Sequence, residues 1–201
     1  MQGVLHSGHI PSEAPPAPVA GDAELVALAQ ENPHAFELLY RRYIDPVHRY
    51  CHRRLGSREA AEDATSLIFT KAFTSLPAFR AGSFRSWLFT IAYHVIADDL
   101  RSRRPQADLD AAGEIAGREP SPEELAIVLE GDRSVAALLH QLPEAQRQVV
   151  ELRLAGLTGR EIAKVLGRGL PAVKMSQLRA YARLRDLLTE SERQETRDDR
   201  R

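Results

Sequence analysis

The sequence predicts an all-α protein of two small helical domains joined by a flexible acidic linker, the C-terminal domain being a helix-turn-helix. Three observations lead there. Apolar residues recur every three or four positions through successive stretches, and none alternates as a half-buried strand would. Proline, glycine and capping side chains fall between those stretches, where helices start and stop. Charge is also sorted along the chain. Residues 36–104 hold 12 Arg and Lys against 7 Asp and Glu, residues 105–134 hold 2 against 8, and residues 144–188 hold 9 against 4. The formal net charge of -1 therefore conceals two basic blocks around an acidic spacer.

Residues 1–21, rich in Pro, Ala and Gly, read as a disordered arm. Asp22 is the expected cap of a short helix through Leu25 and Leu28. Asn32 and Pro33 then pair a capping side chain with a proline at the first helical position. Phe36, Leu39, Tyr40, Tyr43, Ile44 and Val47 keep helical spacing, with a bend expected at Pro46, which has no N–H for the ladder. Gly56 ends that helix and Ser57 caps the next, whose Ala64, Leu67, Ile68, Ala72 and Leu76 share a face until Pro77. Ser83 opens a helix running to Pro105. These elements make a domain over residues 22–104. Residues 105–133 form the linker, with a weak helix at 123–130. A second domain, residues 134–189, holds helices at 134–141 and 144–154 and a tight pair after Gly156. Residues 190–201 read as a charged tail.

Several functions are excluded on composition. Cys51 is the only cysteine, so no intrachain disulfide forms and a reducing, cytoplasmic setting is expected. No apolar run approaches the roughly 20 residues of a membrane span, so direct membrane insertion is not expected. His48, Cys51 and His52 share one helical stretch but are too few for a metal site. No Ser-His-Asp set, phosphate-binding glycine loop or carboxylate pair stands out. The chain is read as a non-enzyme without cofactor or metal.

Two stretches point to nucleic acid. In "LTGREIAKVLGRGLPAVKMSQLRAYARLRDLL", residues 157–188, Thr158 and Glu161 make a capping box and Gly167 permits a sharp turn. A longer helix then starts at Pro171 and carries Lys174, Arg179, Arg183 and Arg185. A short helix, a glycine turn and a basic second helix are the parts of a major-groove reader. In "GSFRSWLFTIAYHVIADDLRSRR", residues 82–104, the single Trp shares a helix with other aromatics and a basic tail. Aromatic faces stack on unpaired bases and arginines neutralise phosphates, which is what a helix that grips or opens DNA needs.

The stretch "FELLYRRYIDPVHRYCHRRLGSREAAEDATSLIFTKAFTSLPAF", followed by "SFRSWLFTIAYHVIADDLRSRR", resembles the N-terminal domain of an extracytoplasmic-function sigma factor of the sigma-70 family. "LPEAQRQVVELRLAGLTGREIAKVLGRGLPAVKMSQLRAYARLRDLL" resembles that family's C-terminal domain. The resemblance implies a subunit that binds the clamp and flap of core RNA polymerase and directs promoter-specific initiation on double-stranded and melted DNA, with an anti-sigma protein as a further partner. Core polymerase binding would fall to Asp63, Ser66, Leu67, Lys71 and Thr74. Recognition and melting of the -10 element would fall to Phe79, Arg80, Ser83, Phe84, Arg85, Trp87, His94, Arg101, Arg103 and Arg104. For Trp87 alone, its place on the apolar stripe favours packing. The -35 element would meet Arg160, Arg168, Lys174, Ser176, Gln177, Arg179 and Arg183.

The chain also departs from the family pattern. Ser66-Leu67 stands where a Gln-Glu pair is usual, and His94 where Asn is usual. Gly169-Leu170-Pro171-Ala172 and Met175-Ser176 replace polar steps of the reading helix, and Gln177 stands where an apolar residue is expected, one place before Leu178. Fewer side chains there can hydrogen-bond base edges, so upstream readout is expected to be weak or aimed at an unusual sequence. Two alternatives accompany this reading: a sigma-like DNA-binding regulator without initiation activity, and an interaction module for an anti-sigma protein.

Overall fold

The computed structural model describes residues 21–102 and 130–198. Their regular structure is helical: α1 Asp22–Glu31, α2 Phe36–Leu55, α3 Arg58–Ser75, α4 Phe84–Ser102, α5 Glu130–His140, α6 Glu144–Leu154, α7 Gly159–Leu166 and α8 Leu170–Asp198. Short 3-10 turns at Pro33–Ala35 and Leu76–Ala78 precede α2 and follow α3. The N-terminal arm, most of the acidic linker with its weak helix, and Arg103 and Arg104 lie outside the described residues.

Most boundaries have the local causes expected of them. Asn32 caps the first 3-10 turn by accepting from His34 N at 3.1 Å. Gly56, at φ 70, ends α2 in the left-handed conformation that only glycine adopts cheaply. Ser57 then accepts from Ala60 N to cap α3. Two expectations, the cap of α1 and the end of α8, are corrected. The N-cap of α1 is Gly21, and the carboxylate of Asp22 is instead held by Arg42 at 2.7 Å and by the Tyr43 hydroxyl. α2 stays one helix from Phe36 to Leu55 through Pro46, the position of the expected bend, because packing on α3 and α4 outweighs one missing ladder bond. α8 runs to Asp198, through most of the segment read as a tail.

Helices α1–α4 form a bundle around Leu39, Val47, Ile68, Leu88, Phe89 and Ala92, all with no exposed surface. Each large apolar side chain buried there contributes about 1.5–3 kcal/mol. Tyr50 meets Phe89 edge-on at 5.5 Å between ring centroids, and Tyr43 meets Phe84 at 5.4 Å. Burial raises both tyrosine hydroxyls above their ordinary pKa; for Tyr43, the Asp22 hydrogen bond adds to this, bringing it to about 12. The second bundle, α5–α8, has a small core of its own in Leu139, Leu142, Val150 and Ala180.

One long-range contact positions the loop that precedes α4. Gln30, at the end of α1, donates its side-chain amide to Leu76 O at 2.9 Å and Phe79 O at 2.7 Å. Gln30→Ala removes both bonds and should cost about 1–3 kcal/mol, read as a lower unfolding midpoint. An unchanged midpoint would show that the 3-10 turn holds the loop unaided.

Candidate nucleic-acid interface

The two bundles meet along a seam, while the linker that joins them lies outside the described residues. α7 lies against α4, and Val149, Leu152, Leu157, Ile162, Val165 and Val173 join the apolar core of the first bundle. Size explains this: four helices, one of only eight residues, bury too little surface among themselves to cover both faces of α6 and α7. Arg54, near the end of α2, crosses the seam to α6. Its guanidinium meets Glu144 Oε1 at 2.7 Å and Glu151 Oε2 at 3.2 Å, with Arg54 6% and Glu151 1% exposed.

Burial pushes the Glu151 carboxyl up to about 7, although the charges of Arg54 and Arg147 draw it down. Glu144 is opposite in outcome. Partial burial raises it, but the hydrogen bond and charge of Arg54, joined by Arg147, bring it down to about 2. Two further bonds cross the seam. Ser83 at the entrance of α4 donates to Glu161, and Arg85 Nη1 donates to Gly156 O at 2.8 Å. Gly156 has φ 87, and a Cβ there would lie 3.3 Å from that guanidinium. The backbone conformation thus favours glycine, and a Cβ would also press on the Arg85 guanidinium.

The residues expected at the -10 element divide into three groups. Arg80, His94 and Arg101 are exposed; Arg80 donates to Pro77 O at 2.6 Å and Arg101 pairs with Asp98 at 2.8 Å. Ser83 and Arg85 are half-buried in the seam. Phe79, Phe84 and Trp87 form an aromatic cluster, with Trp87 5.1 Å from Phe79 and 5.6 Å from Phe84 between centroids. Phe84 is 1% exposed, so its reading as a base contact is corrected: it is a core side chain packed between Tyr43 and Trp87. Trp87 is half-buried on that core, as its stripe position suggested.

On α3 the five residues named for polymerase binding are all exposed. Asp63, Leu67 and Lys71 line a groove of about 360 Å³ whose other wall is Val95, Asp98, Asp99 and Ser102 of α4. Its floor is apolar and its rim mostly acidic. Cys51 is fully buried and its thiol is pushed up to about 11 by burial, so it faces the core and not the stacked His48 and His52 rings. Among the described residues, no three His, Cys, Asp or Glu side chains converge as a metal would require.

The helix-turn-helix forms as its capping pattern implies. Thr158 N donates to Glu161 Oε2 at 2.7 Å and Glu161 N to Thr158 Oγ1 at 3.3 Å. Gly167, at φ 60, makes the turn. Arg160, Lys174, Arg179 and Arg183 are exposed, and Arg183 donates to Gln141 O at 3.1 Å. Arg168 is committed to holding α6, with donations to Ala145 O at 3.4 Å and Gln148 Oε1 at 3.1 Å. Ser176 and Gln177 are half-buried, and the Gln177 amide donates to the Tyr181 hydroxyl at 3.2 Å. Three further outward positions belong to residues not expected as contacts: Pro171 is exposed, Met175 is 48% exposed and Leu178 65%. The i, i+4, i+7 spacing of those three was the signal available in the sequence. No helix among the described residues is long and apolar enough to cross a membrane.

Comparison with known proteins gives a consistent result. Sigma-70 region 2 matches residues 39–106, and Sigma-70, region 4 matches residues 132–184. The ECF RNA polymerase sigma factor BldN of Streptomyces coelicolor is 34% identical over 177 residues, covering 85% of this chain and 67% of that protein. The ECF RNA polymerase sigma factor ShbA of Streptomyces griseus is 34% identical over 152 residues, covering 69% and 80%. Among solved structures, CnrH in complex with the cytosolic domain of CnrY superposes with a TM-score of 0.66 at 26% identity, covering 84% of this chain and 97% of that one.

The seam makes two predictions. Arg54→Ala leaves Glu151 buried without its partner, a loss of about 3–5 kcal/mol above about pH 7, where Glu151 is ionised, and less below it, where the carboxyl takes up a proton. The two bundles should separate, and the radius of gyration from small-angle X-ray scattering should rise; an unchanged radius would show that apolar packing alone closes the seam. For pH, Glu151 binds its proton more tightly when closed, so its contribution is full below about pH 4.5, its ordinary value, and is lost as pH rises through about 7. Glu144 binds its proton less tightly when closed, so its contribution is present above about pH 4.5 and lost as pH falls through about 2. Closure should be tightest near pH 5 and loosen towards pH 8 in the same scattering measurement.

Proposed function

This chain belongs to the extracytoplasmic-function sigma factors of the sigma-70 family, and from that premise we propose how its surfaces share the work of promoter-specific transcription initiation. The carrying observation is the ordered pair of regions 2 and 4 on one chain, the second ending in a helix-turn-helix with a basic, solvent-facing reading helix. The first domain docks on core RNA polymerase through Asp63, Ser66, Leu67, Lys71 and Thr74 of α3. The groove beside them, apolar below and acidic at its rim, suits an amphipathic partner surface with basic edges.

Arg80, His94, Arg101 and the neighbouring Arg103 and Arg104 supply phosphate and base contacts at the melted -10 element. Ser83 and Arg85 join them once the seam opens, since in the closed form they are bonded to Glu161 and Gly156. α7 and α8 take the -35 element, with Arg160, Lys174, Arg179 and Arg183 on the backbone. The chain contributes recognition and strand separation, while bond making stays with the polymerase. It works where that polymerase works, in the cytoplasm. An anti-sigma protein, which the family implies, is included among its partners, and CnrH, which the chain resembles, is itself solved in complex with another protein, the cytosolic domain of CnrY.

Purified chain added to core polymerase on promoter fragments from its own genome should give start-specific transcripts. DNA binding without a transcript would instead identify a regulator built from sigma parts, and neither would identify an interaction module. Changing Arg101, Arg103 and Arg104 together to Ala should weaken promoter opening. It should also flatten the plot of log affinity against log salt by about 0.7–0.9 per lost phosphate contact. An unaltered salt slope counts against these arginines as phosphate ligands.

A further inference from the structure

The outward face of the reading helix carries the wrong chemistry for hydrogen-bonded base readout. On a 100° wheel, Val173, Ala180 and the half-buried Gln177 and Leu184 point to the core. Pro171, Met175 and Leu178 then fall opposite, and they are the side chains that a major groove would meet first. Met175 is 48% and Leu178 65% exposed, so among the described residues neither belongs to a core. Ser176, which could address base edges, is rotated toward the core side, and the Gln177 amide is engaged with Tyr181. Cations flank the ridge on both sides: exposed Lys174 and Arg185 on one, exposed Arg179 on the other. An apolar ridge between cationic flanks fits a surface that is negative at its edges and apolar in the middle.

We propose that Met175 and Leu178, with Pro171 at the entrance, are the specificity-determining residues of the upstream contact, and that they read thymine C5-methyl groups in the major groove. This rests on the sigma factor reading above. Of the groups the four bases present in that groove, the thymine methyl is the one apolar feature. From Pro171 to Leu178 the ridge rises about 10 Å at 1.5 Å per residue, which is about three base-pair steps of 3.4 Å. The upstream element of this factor is therefore marked by thymines at neighbouring steps, on either strand, rather than by guanines that need a bidentate arginine. Lys174, Arg179 and Arg185 hold the helix on the flanking phosphates and add affinity without sequence preference.

The test uses the chain bound to core polymerase and a pool of duplexes with a randomised upstream block. Bound duplexes should be enriched in adjacent thymines. The enriched duplex is then remade with deoxyuridine in place of thymidine in that block, which removes the methyl groups and leaves every hydrogen-bonding group. Each lost methyl contact should weaken binding roughly three- to four-fold, so about ten-fold for two. The double variant Met175→Gln, Leu178→Gln should bind the two duplexes equally, with a circular-dichroism unfolding midpoint close to that of the unaltered chain because both positions are exposed. Enriched duplexes poor in thymine, or indifferent to uridine, overturn the proposal while leaving sigma activity standing. Indifference to uridine together with a chain dimer that the double variant abolishes also overturns it, and assigns the ridge to a second copy. Failure of the complex to bind any duplex overturns the functional reading along with it.

Discussion

At the centre of this molecule a guanidinium is buried between two carboxylates. Arg54 is taken out of water by the closure of α2 on α6, and Glu151 is more buried still. Such a pair contributes little net stability, because stripping water from both ions offsets most of their attraction. What it does impose is register. α6 can lie on α2 only where both Glu144 and Glu151 reach Arg54, since any slip would bury a charge with no partner. Once that register is set, the first turn of α7 arrives beside Ser83, and the turn at Gly156 arrives beside Arg85. The apolar seam around Leu152, Leu157 and Ile162 supplies the attraction, and the ion pair decides its alignment.

That alignment separates the groups proposed to face DNA by their availability. Arg80, His94, Arg101, the outer face of α3 and the outward ridge of α8 stay in solvent. Ser83 and Arg85 are half-buried at the seam, and each gives a hydrogen bond to the second bundle. In the function proposed here the two domains reach promoter elements separated along the DNA, and on that reading the seam parts before every contact is made. Opening exposes apolar surface and returns Arg54, Glu144 and Glu151 to water. Hydration of Arg54, Glu144 and the Glu151 carboxyl offsets part of the apolar cost, which makes a polar seam easier to open than a wholly apolar one of equal area. The groove between α3 and α4 lies on the first bundle alone, so a partner can use it with the seam open or closed.

Much of this was legible from the order of residues. Helix periodicity, the Asn32, Ser57 and Thr158 caps and the Gly56 and Gly167 stops act between neighbours a few positions apart, and each appears where local chemistry put it. The family resemblance was likewise carried by ordered blocks of sequence. The site was less legible. Phe84 and Trp87 are three residues apart on one helix and both aromatic, yet one is sealed between Tyr43 and its neighbour while the other keeps an exposed edge. Gln177 and Leu178 are adjacent, and 100° of helix rotation turns the polar one inward and the apolar one outward, against the usual expectation.

By itself, the sequence determined the all-α class, the positions of the helices, the helix-turn-helix and the basic character of both blocks, because caps, breakers and periodicity depend on near neighbours. Only the tertiary structure decided that the two bundles close on each other and which arginines that closure consumes. Arg54 and Glu151 are 97 positions apart, and Ser83 and Glu161 are 78 apart. No periodicity links groups so distant. Their pairing follows from which apolar faces remain uncovered after each bundle folds, and that is a property of assembled surfaces.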